Sequence, residues 1–132
     1  MQTSAPHILL VEDDENDAVL FRLALKRAGK PYTLEIVPDT AKAMEYLQVN
    51  GTPSVPGKHP LPQLVFLDLH LRNEDGMQLL RWLRAQPHLD KVVLLVTSGT
   101  MDPKNEELSK NLGARFLPKP VPVAELAALL EA

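Results

Sequence analysis

The chain has 132 residues, of which 45% are hydrophobic and 23% charged, with a formal net charge of −3 and no cysteine. These values predict a single globular domain over residues 1–132, and they exclude disulfides and thiolate chemistry. A negative net charge without a basic stripe argues against nucleic-acid binding, and no apolar run approaches the ~18 residues of a membrane span. Because no export signal is visible at the N terminus, we expect a cytoplasmic protein.

Five short apolar runs alternate with helical patterns along the chain. They are Ile8–Val11, Leu34–Val37, Leu64–Leu67, Val92–Val96 and Phe116–Leu117. Three of them are unbroken stretches of Val, Ile, Leu and Phe, as expected for strands buried on both faces of a parallel sheet. The alternation predicts five βα units in a three-layer α/β fold, a doubly wound parallel sheet with strand order 2-1-3-4-5.

Capping residues predict where the five helices begin and end. The first helix carries apolar residues at helical spacing and stops at Gly29, and the fourth stops at Gly113. Asp39 or Thr40 can cap the second helix, and the remaining starts are Asp75, Asp102 followed by Pro103, and Pro122. Between the second helix and the third strand, residues 50–62 contain four prolines and two glycines. This segment is predicted to be a surface loop insertion.

An acidic run follows the first strand, with five carboxylates in the six residues Glu12-Asp13-Asp14-Glu15-Asn16-Asp17. One interpretation is a solvated helix start, where the helix dipole favours acidic side chains. The position of Glu12 and Asp13 favours another, because open α/β sheets bind ligands at the carboxyl ends of their strands. Carboxylates at that edge suit a hard cation such as Mg2+.

Three other strand ends supply the remaining groups for phosphoryl transfer. Asp68 ends the third strand, beside the first strand in the predicted order, and could act as a nucleophile on phosphorus. Thr97 offers a hydroxyl at the end of the fourth strand, and Lys119 offers an ammonium after the fifth. Metal ligands, nucleophile, hydroxyl and cation therefore meet at one edge of the sheet.

With these residues in this order, the chain resembles the receiver domains of two-component response regulators from about His7 onward. Asp68 matches the phosphoacceptor, eight residues before Gly76, and Thr97 and Phe116 match the switch hydroxyl and the aromatic residue that rotates with it. The resemblance implies Mg2+ bound by Asp13, Asp68 and the main-chain carbonyl of His70, with Glu12 acting through water. It also implies a conserved lysine at Lys119 and a cis peptide bond between Lys119 and Pro120.

The resemblance carries further expectations about function. The chain should accept a phosphoryl group from a histidine kinase without turning over a separate substrate. The proline-rich insertion and the lack of an output domain resemble stand-alone receivers that serve phytochrome-type histidine kinases. Arg72 departs from a proline common in the family. His70 and Gly99 occupy variable positions that tune how long the phosphoryl group persists.

Three alternatives remain open at this point. A dehalogenase-like phosphatase would also use a strand-end aspartate and Mg2+, but it needs a second acid where this chain has His70. A flavodoxin-like cofactor binder needs a phosphate-binding first loop, whereas this loop is acidic. A receiver fold that has lost phosphorylation could act as a binding module alone, although Asp68, Thr97 and Lys119 are all present.

The last two helices predict a self-association surface. The fourth offers Leu108 and Leu112 as its large apolar residues, so little burial should hold it in place. In the fifth, we expect Val123, Ala127 and Leu130 to face the sheet and Leu126 and Leu129 to point partly outward. A twofold homodimer through the fourth helix, the fifth strand and the fifth helix is therefore predicted.

Overall fold

The computed structural model describes residues 5–50, 61–71, 74–99 and 102–131, with the backbone alone at residues 49 and 50. The strands are β1 His7–Val11, β2 Thr33–Val37, β3 Leu64–Asp68, β4 Val93–Ser98 and β5 Arg115–Pro118. The helices are α1 Glu15–Ala28, α2 Thr40–Asn50, α3 Gly76–Arg84, α4 Pro103–Asn111 and α5 Val123–Glu131. A short 3-10 helix at Pro87–Leu89, between α3 and β4, was not predicted. The five predicted βα units are confirmed.

The five strands form one parallel sheet in the order β2-β1-β3-β4-β5, as predicted. Every residue of β1 and β3 is buried, because helices cover both faces of these inner strands. The outer strands are less covered: residues of β2 alternate between exposed and covered, and both ends of β5 are exposed. The parallel arrangement brings the carboxyl ends of β1, β3, β4 and β5 to one edge of the sheet, called the carboxyl edge below. The opposite edge is the amino edge.

Two apolar clusters fill the space between the sheet and its helices. On one face, strand residues such as Leu9, Val65 and Val96 pack with Leu47 of α2 and Leu80 of α3. On the other face, Ile8, Phe66 and Leu95 pack with side chains of α1 and α5, among them Phe21, Leu25 and Leu126. Alternate residues of one strand enter opposite clusters, so the chain forms the predicted three layers.

Side-chain caps fix the starts of four helices, three of them as predicted; the Asp14 cap of α1 was not predicted. Asp14, Asp75 and Asp102 each accept a hydrogen bond from a main-chain amide in the first turn of the helix that follows. Asp39 caps α2, since its Oδ1 accepts from the Lys42 amide at 2.8 Å, which decides between the two predicted candidates. Gly29 and Gly113 end α1 and the α4 segment with φ of 70° and 79°, a conformation that disfavours other residues.

The predicted face of α5 is right for Leu130 and wrong for Leu126, which was expected to point partly outward. Leu126 is 1% exposed and Leu130 6% exposed, so these two residues carry the contact with the sheet. Val123 and Ala127 are half-buried, and Leu129 packs partly against the same cluster. Because α5 also packs beside α1, its buried stripe is rotated from the one that sheet contact alone suggested. Less apolar surface is therefore left outward than predicted.

Two further predictions concern the loops and the membrane. Residues 51–60 of the predicted insertion, and Arg72, lie outside the described residues. The insertion joins α2 to β3, the connection where it was expected. Within the part of the chain that the structure describes, no helix is both long and apolar enough to cross a membrane.

Candidate functional site

The carboxyl edge of the sheet gathers the predicted functional side chains. Glu12 follows β1 directly, and Asp68 is the last residue of β3, its neighbour in the sheet. Asp68 is aligned with Thr97 of β4, and the main chain of Lys119 is tied to β4 by a hydrogen bond to the Ser98 carbonyl at 3.1 Å. The Lys119–Pro120 peptide bond is cis, as the resemblance implied.

The Lys119 ammonium lies among three carboxylates. Its Nζ is 2.7 Å from Glu12 Oε1, 2.8 Å from Asp68 Oδ2 and 2.8 Å from Asp17 Oδ2. The side chains of Glu12 and Asp68 are almost fully buried, whereas that of Asp17 is 38% exposed. Charge-assisted hydrogen bonds of this length hold the ammonium firmly and fix its position relative to Asp68.

Burial and charge shift the pKa values of this group in a consistent pattern. Burial, aided by the Asp68 charge, raises the pKa of Glu12 to about 7, although its hydrogen bond to Lys119 works in the opposite direction. Burial acts to lower the pKa of Lys119, but hydrogen bonds to Asp17, Asp68 and Glu12 outweigh it and raise that pKa. The ammonium stays charged, while the surrounding carboxylates compete for it. Such a site favours a further cation.

The second oxygen of Asp68 is held by the main chain. The His70 amide donates to Asp68 Oδ1 at 2.9 Å, so each carboxylate oxygen has a defined partner. Gly76, at the start of α3, packs against this turn: a Cβ there would lie 2.8 Å from the Asp68 carbonyl oxygen and 3.0 Å from Leu69 Cα. The eight-residue spacing between Asp68 and Gly76 therefore has a steric reason.

The two predicted switch residues lie on adjacent strands. The buried Thr97 hydroxyl points back to the Leu67 carbonyl at 3.5 Å, a weak hydrogen bond that can be exchanged for a better one. Phe116 is aligned with Val96, and its half-buried ring packs against the cluster that contains α2 and α3.

Two neighbouring cavities that share lining residues open at this edge. An acidic one of about 340 Å³ is lined by Asp13, Asp14, Asp17, Asp68, His70, Gly99 and Lys119. A more apolar one of about 240 Å³ lies beside it, between α1 and the segment that follows β5, and includes Leu20, Phe21, Pro120 and Val121. Both are lined by Asp17, Gly99 and Lys119, so the ammonium stands at their junction.

The tightest group of carboxylates in the described residues differs from the predicted set of metal ligands. Among the described residues, the carboxylates whose oxygens lie within 4.8 Å of one another are Glu12, Asp17 and Asp68. Asp13 lines the acidic cavity without joining this tight group, and His70 lines it too. Asp17 was not predicted as a separate site residue. Its signal was its place in the acidic run, at the third position of α1.

Comparison with known proteins places this geometry among signalling domains. The sequence matches the response regulator receiver domain family over residues 8–131. Response regulator Rcp1 of Synechocystis sp. is 37% identical over 97 residues, which cover 72% of this chain and 64% of Rcp1. The matched segment thus spans less than two thirds of that relative.

Solved structures with the same fold extend the similarity to nearly the whole chain. The Mn(2+)-bound form of Rcp1 aligns with a TM-score of 0.75 and 28% identity, over 96% of this chain and 89% of that one. The bacteriophytochrome response regulator AtBRR aligns with a TM-score of 0.79 and 27% identity, over 98% and 94%. The phosphorylated cyanobacterial phytochrome response regulator RcpA aligns with a TM-score of 0.75 and 26% identity, over 97% and 90%.

Proposed function

Because the chain belongs to the response regulator receiver domain family, we propose that it accepts a phosphoryl group on Asp68 from a histidine kinase. The observation that carries this proposal is the setting of the Asp68 carboxylate. It is buried at the floor of an acidic cavity, with Oδ2 bonded to Lys119 and Oδ1 bonded to the His70 amide. An Asp68 oxygen attacks phosphorus and the bond from phosphorus to the histidine nitrogen breaks. The electron pair of that bond stays on the nitrogen, so a ring that carries a proton on its other nitrogen leaves as neutral imidazole.

The acidic cavity fits a divalent cation by its donor chemistry. It presents carboxylate oxygens in excess over the single ammonium of Lys119, and oxygen donors are those that Mg2+ prefers. Following the family pattern, Asp13, Asp68 and the His70 carbonyl would hold the ion, with Glu12 acting through water. The ion would offset charge on the transferred phosphoryl oxygens, while Lys119 pairs with one of them. The Mn(2+)-bound form of Rcp1 supports a divalent site in this family.

The surface beside the cavity supports a protein as phosphodonor. Val19, Leu20 and Leu23 on α1 are 53%, 51% and 46% exposed, and Leu20 also lines the apolar cavity next to Lys119. Adjacent exposed apolar residues are typical of a surface that a partner covers. The similarity to AtBRR and to RcpA, which are phytochrome response regulators, supports a phytochrome-type histidine kinase as that partner.

The weak Thr97 bond supports a switch. In this proposal the Thr97 hydroxyl leaves the Leu67 carbonyl for the phosphoryl group, and Phe116 moves with it, so that the surface around α4 and β5 changes. That surface is also the proposed homodimer interface. Because Leu126 of α5 is buried, the main exposed apolar side chain among the described residues of this interface is Leu108 on α4, which is 41% exposed. Sedimentation with and without a phosphoryl mimic tests both ideas. Leu108→Glu should abolish dimers, and Thr97→Ala should dimerise to the same extent whether or not the mimic is present.

The decisive experiment is direct phosphorylation. The protein is incubated with acetyl phosphate and Mg2+, and the mass is measured before and after base treatment. We expect a gain of one phosphoryl group, labile to base, mapped to Asp68 and lost when the metal is chelated. A protein that stays unlabelled would instead be a receiver fold that acts as a binding module alone. Family membership already disfavours the phosphatase and the flavodoxin-like interpretations.

A further inference from the structure

Asp17 stands out because the helix that contains it does not need its carboxylate. Asp14 and Asp17 have the spacing of a capping box, in which the side chain at the third helical position bonds the amide of the cap residue. In this protein Glu12 Oε2 accepts from the Asp14 amide at 3.2 Å instead. The cap itself works normally, since Asp14 Oδ1 accepts from the amides of Asn16 and Asp17. The Asp17 carboxylate is left to bond Lys119 at 2.8 Å.

The three carboxylates around Lys119 differ in what else they must do. The proposed function draws Glu12 toward a metal-bound water and turns Asp68 into the phosphorylated residue. Both of these side chains are almost fully buried, whereas that of Asp17 is 38% exposed at the mouth of the cavity. Asp17 is therefore the carboxylate that can stay with Lys119 throughout the transfer. Without it, a largely buried ammonium would lose its fixed counter-charge.

We propose that Asp17 is a positioning residue, which anchors the Lys119 ammonium between the two cavities so that it meets the incoming phosphoryl group. This inference rests on the proposed function. The alternative role for Asp17 is metal ligation, because its oxygen lies within 4.8 Å of those of Glu12 and Asp68. The two roles differ in what they predict for Mg2+ affinity: replacing a metal ligand lowers it, whereas replacing a positioning residue leaves it unchanged.

The test compares Asp17→Asn with Glu15→Gln in the whole chain. Glu15 is exposed in the same helical turn, so its variant removes the same charge without touching Lys119. Three quantities are measured: Mg2+ affinity by calorimetry, the initial rate of phosphorylation by acetyl phosphate at saturating Mg2+, and the NMR signal of the Lys119 ammonium. Asp13→Asn serves as the reference for loss of a metal ligand.

We expect Asp17→Asn to bind Mg2+ within about twofold of Glu15→Gln, but to be phosphorylated ~5–10-fold more slowly, as suits the loss of one charge-assisted bond. Its Lys119 ammonium signal should broaden, because the group exchanges faster with water. Asp17→Glu should recover most of both losses.

Two results would overturn the assignment. A drop in Mg2+ affinity as large as that of Asp13→Asn would make Asp17 a metal ligand. A phosphorylation rate and an ammonium signal equal to those of Glu15→Gln would leave Asp17 without a positioning role. If wild type takes no phosphoryl group, the proposed function fails, and the ammonium signal still reports whether Asp17 holds Lys119.

Discussion

The two edges of the sheet treat buried polar groups in opposite ways. At the amino edge, His7 Nδ1 lies 2.6 Å from Thr33 Oγ1 and Nε2 lies 2.6 Å from Tyr46 Oη, so both ring nitrogens have hydroxyl partners. Gln63 joins this network by accepting from the His7 amide at 2.6 Å. At the carboxyl edge, Glu12, Asp17 and Asp68 share the ammonium of Lys119.

The polar groups of the amino edge serve stability, whereas those of the carboxyl edge serve ligand binding. Satisfied neutral hydrogen bonds contribute to folding and need nothing from solution. A cluster with more carboxylates than cations costs folding energy, which a bound ion can offset by mass action. Burial also raises the pKa of Tyr46 to about 12, helped by the nearby Glu35 charge, so its hydroxyl stays protonated. The carboxyl edge is thus the part of the fold that is built for a ligand.

The largest expected effect comes from Asp68→Asn at the carboxyl edge. This nearly isosteric change removes the nucleophile, so phosphorylation by acetyl phosphate should be abolished. The free energy of unfolding in a metal chelator should not fall, because one of the competing carboxylates is gone while Lys119 keeps Glu12 and Asp17. Mass spectrometry and urea unfolding measure the two quantities. Full labelling at another residue, or a marked loss of stability, would contradict the separation of the edges.

A smaller effect, on geometry and stability together, is expected from Gly76→Ala. The new Cβ would lie 2.8 Å from the Asp68 carbonyl oxygen, so the turn after β3 must shift. We expect a loss of ~1–3 kcal/mol in unfolding free energy, as for other overpacked sites, together with slower phosphorylation. Gly99→Ala is the control for stability, since nothing lies within 4 Å of its added Cβ. Wild-type stability in Gly76→Ala would show that this contact is not tight in solution.

Local patterns predicted most of the fold and much of the site. Apolar runs located the five strands, and apolar spacing, capping residues, glycines and prolines located the five helices, because those signals lie within a few residues of one another. The burial of Leu126 on α5 was mispredicted, since the rotation of this helix depends on α1, whose residues are distant in sequence. Asp17 was not singled out for a similar reason: it bonds a lysine 102 residues away. The amino-edge network joins β1, β2 and α2. No local sequence pattern marks His7, Thr33 and Tyr46 as partners.

The smallest expected effect comes from Tyr46→Phe at the amino edge, and it should be the reverse of that of Asp68→Asn. Losing the hydroxyl leaves His7 Nε2 without its 2.6 Å partner in a buried setting. The expected loss is ~1–2 kcal/mol in unfolding free energy, as for the loss of a buried hydrogen bond.

The phosphorylation rate of Tyr46→Phe should stay within about twofold of wild type, because Tyr46 lies at the end of the sheet opposite Asp68 and distant sites act independently. Tyr32→Phe is the matched control. Tyr32 packs against the α1–α5 side of the sheet, so its variant should keep wild-type stability if the His7 bond is what matters. Equal losses in the two variants would mean that losing either tyrosine hydroxyl has the same cost, and that the bond to His7 adds nothing specific. A slowed phosphoryl transfer in Tyr46→Phe would show that the two edges are coupled through the sheet.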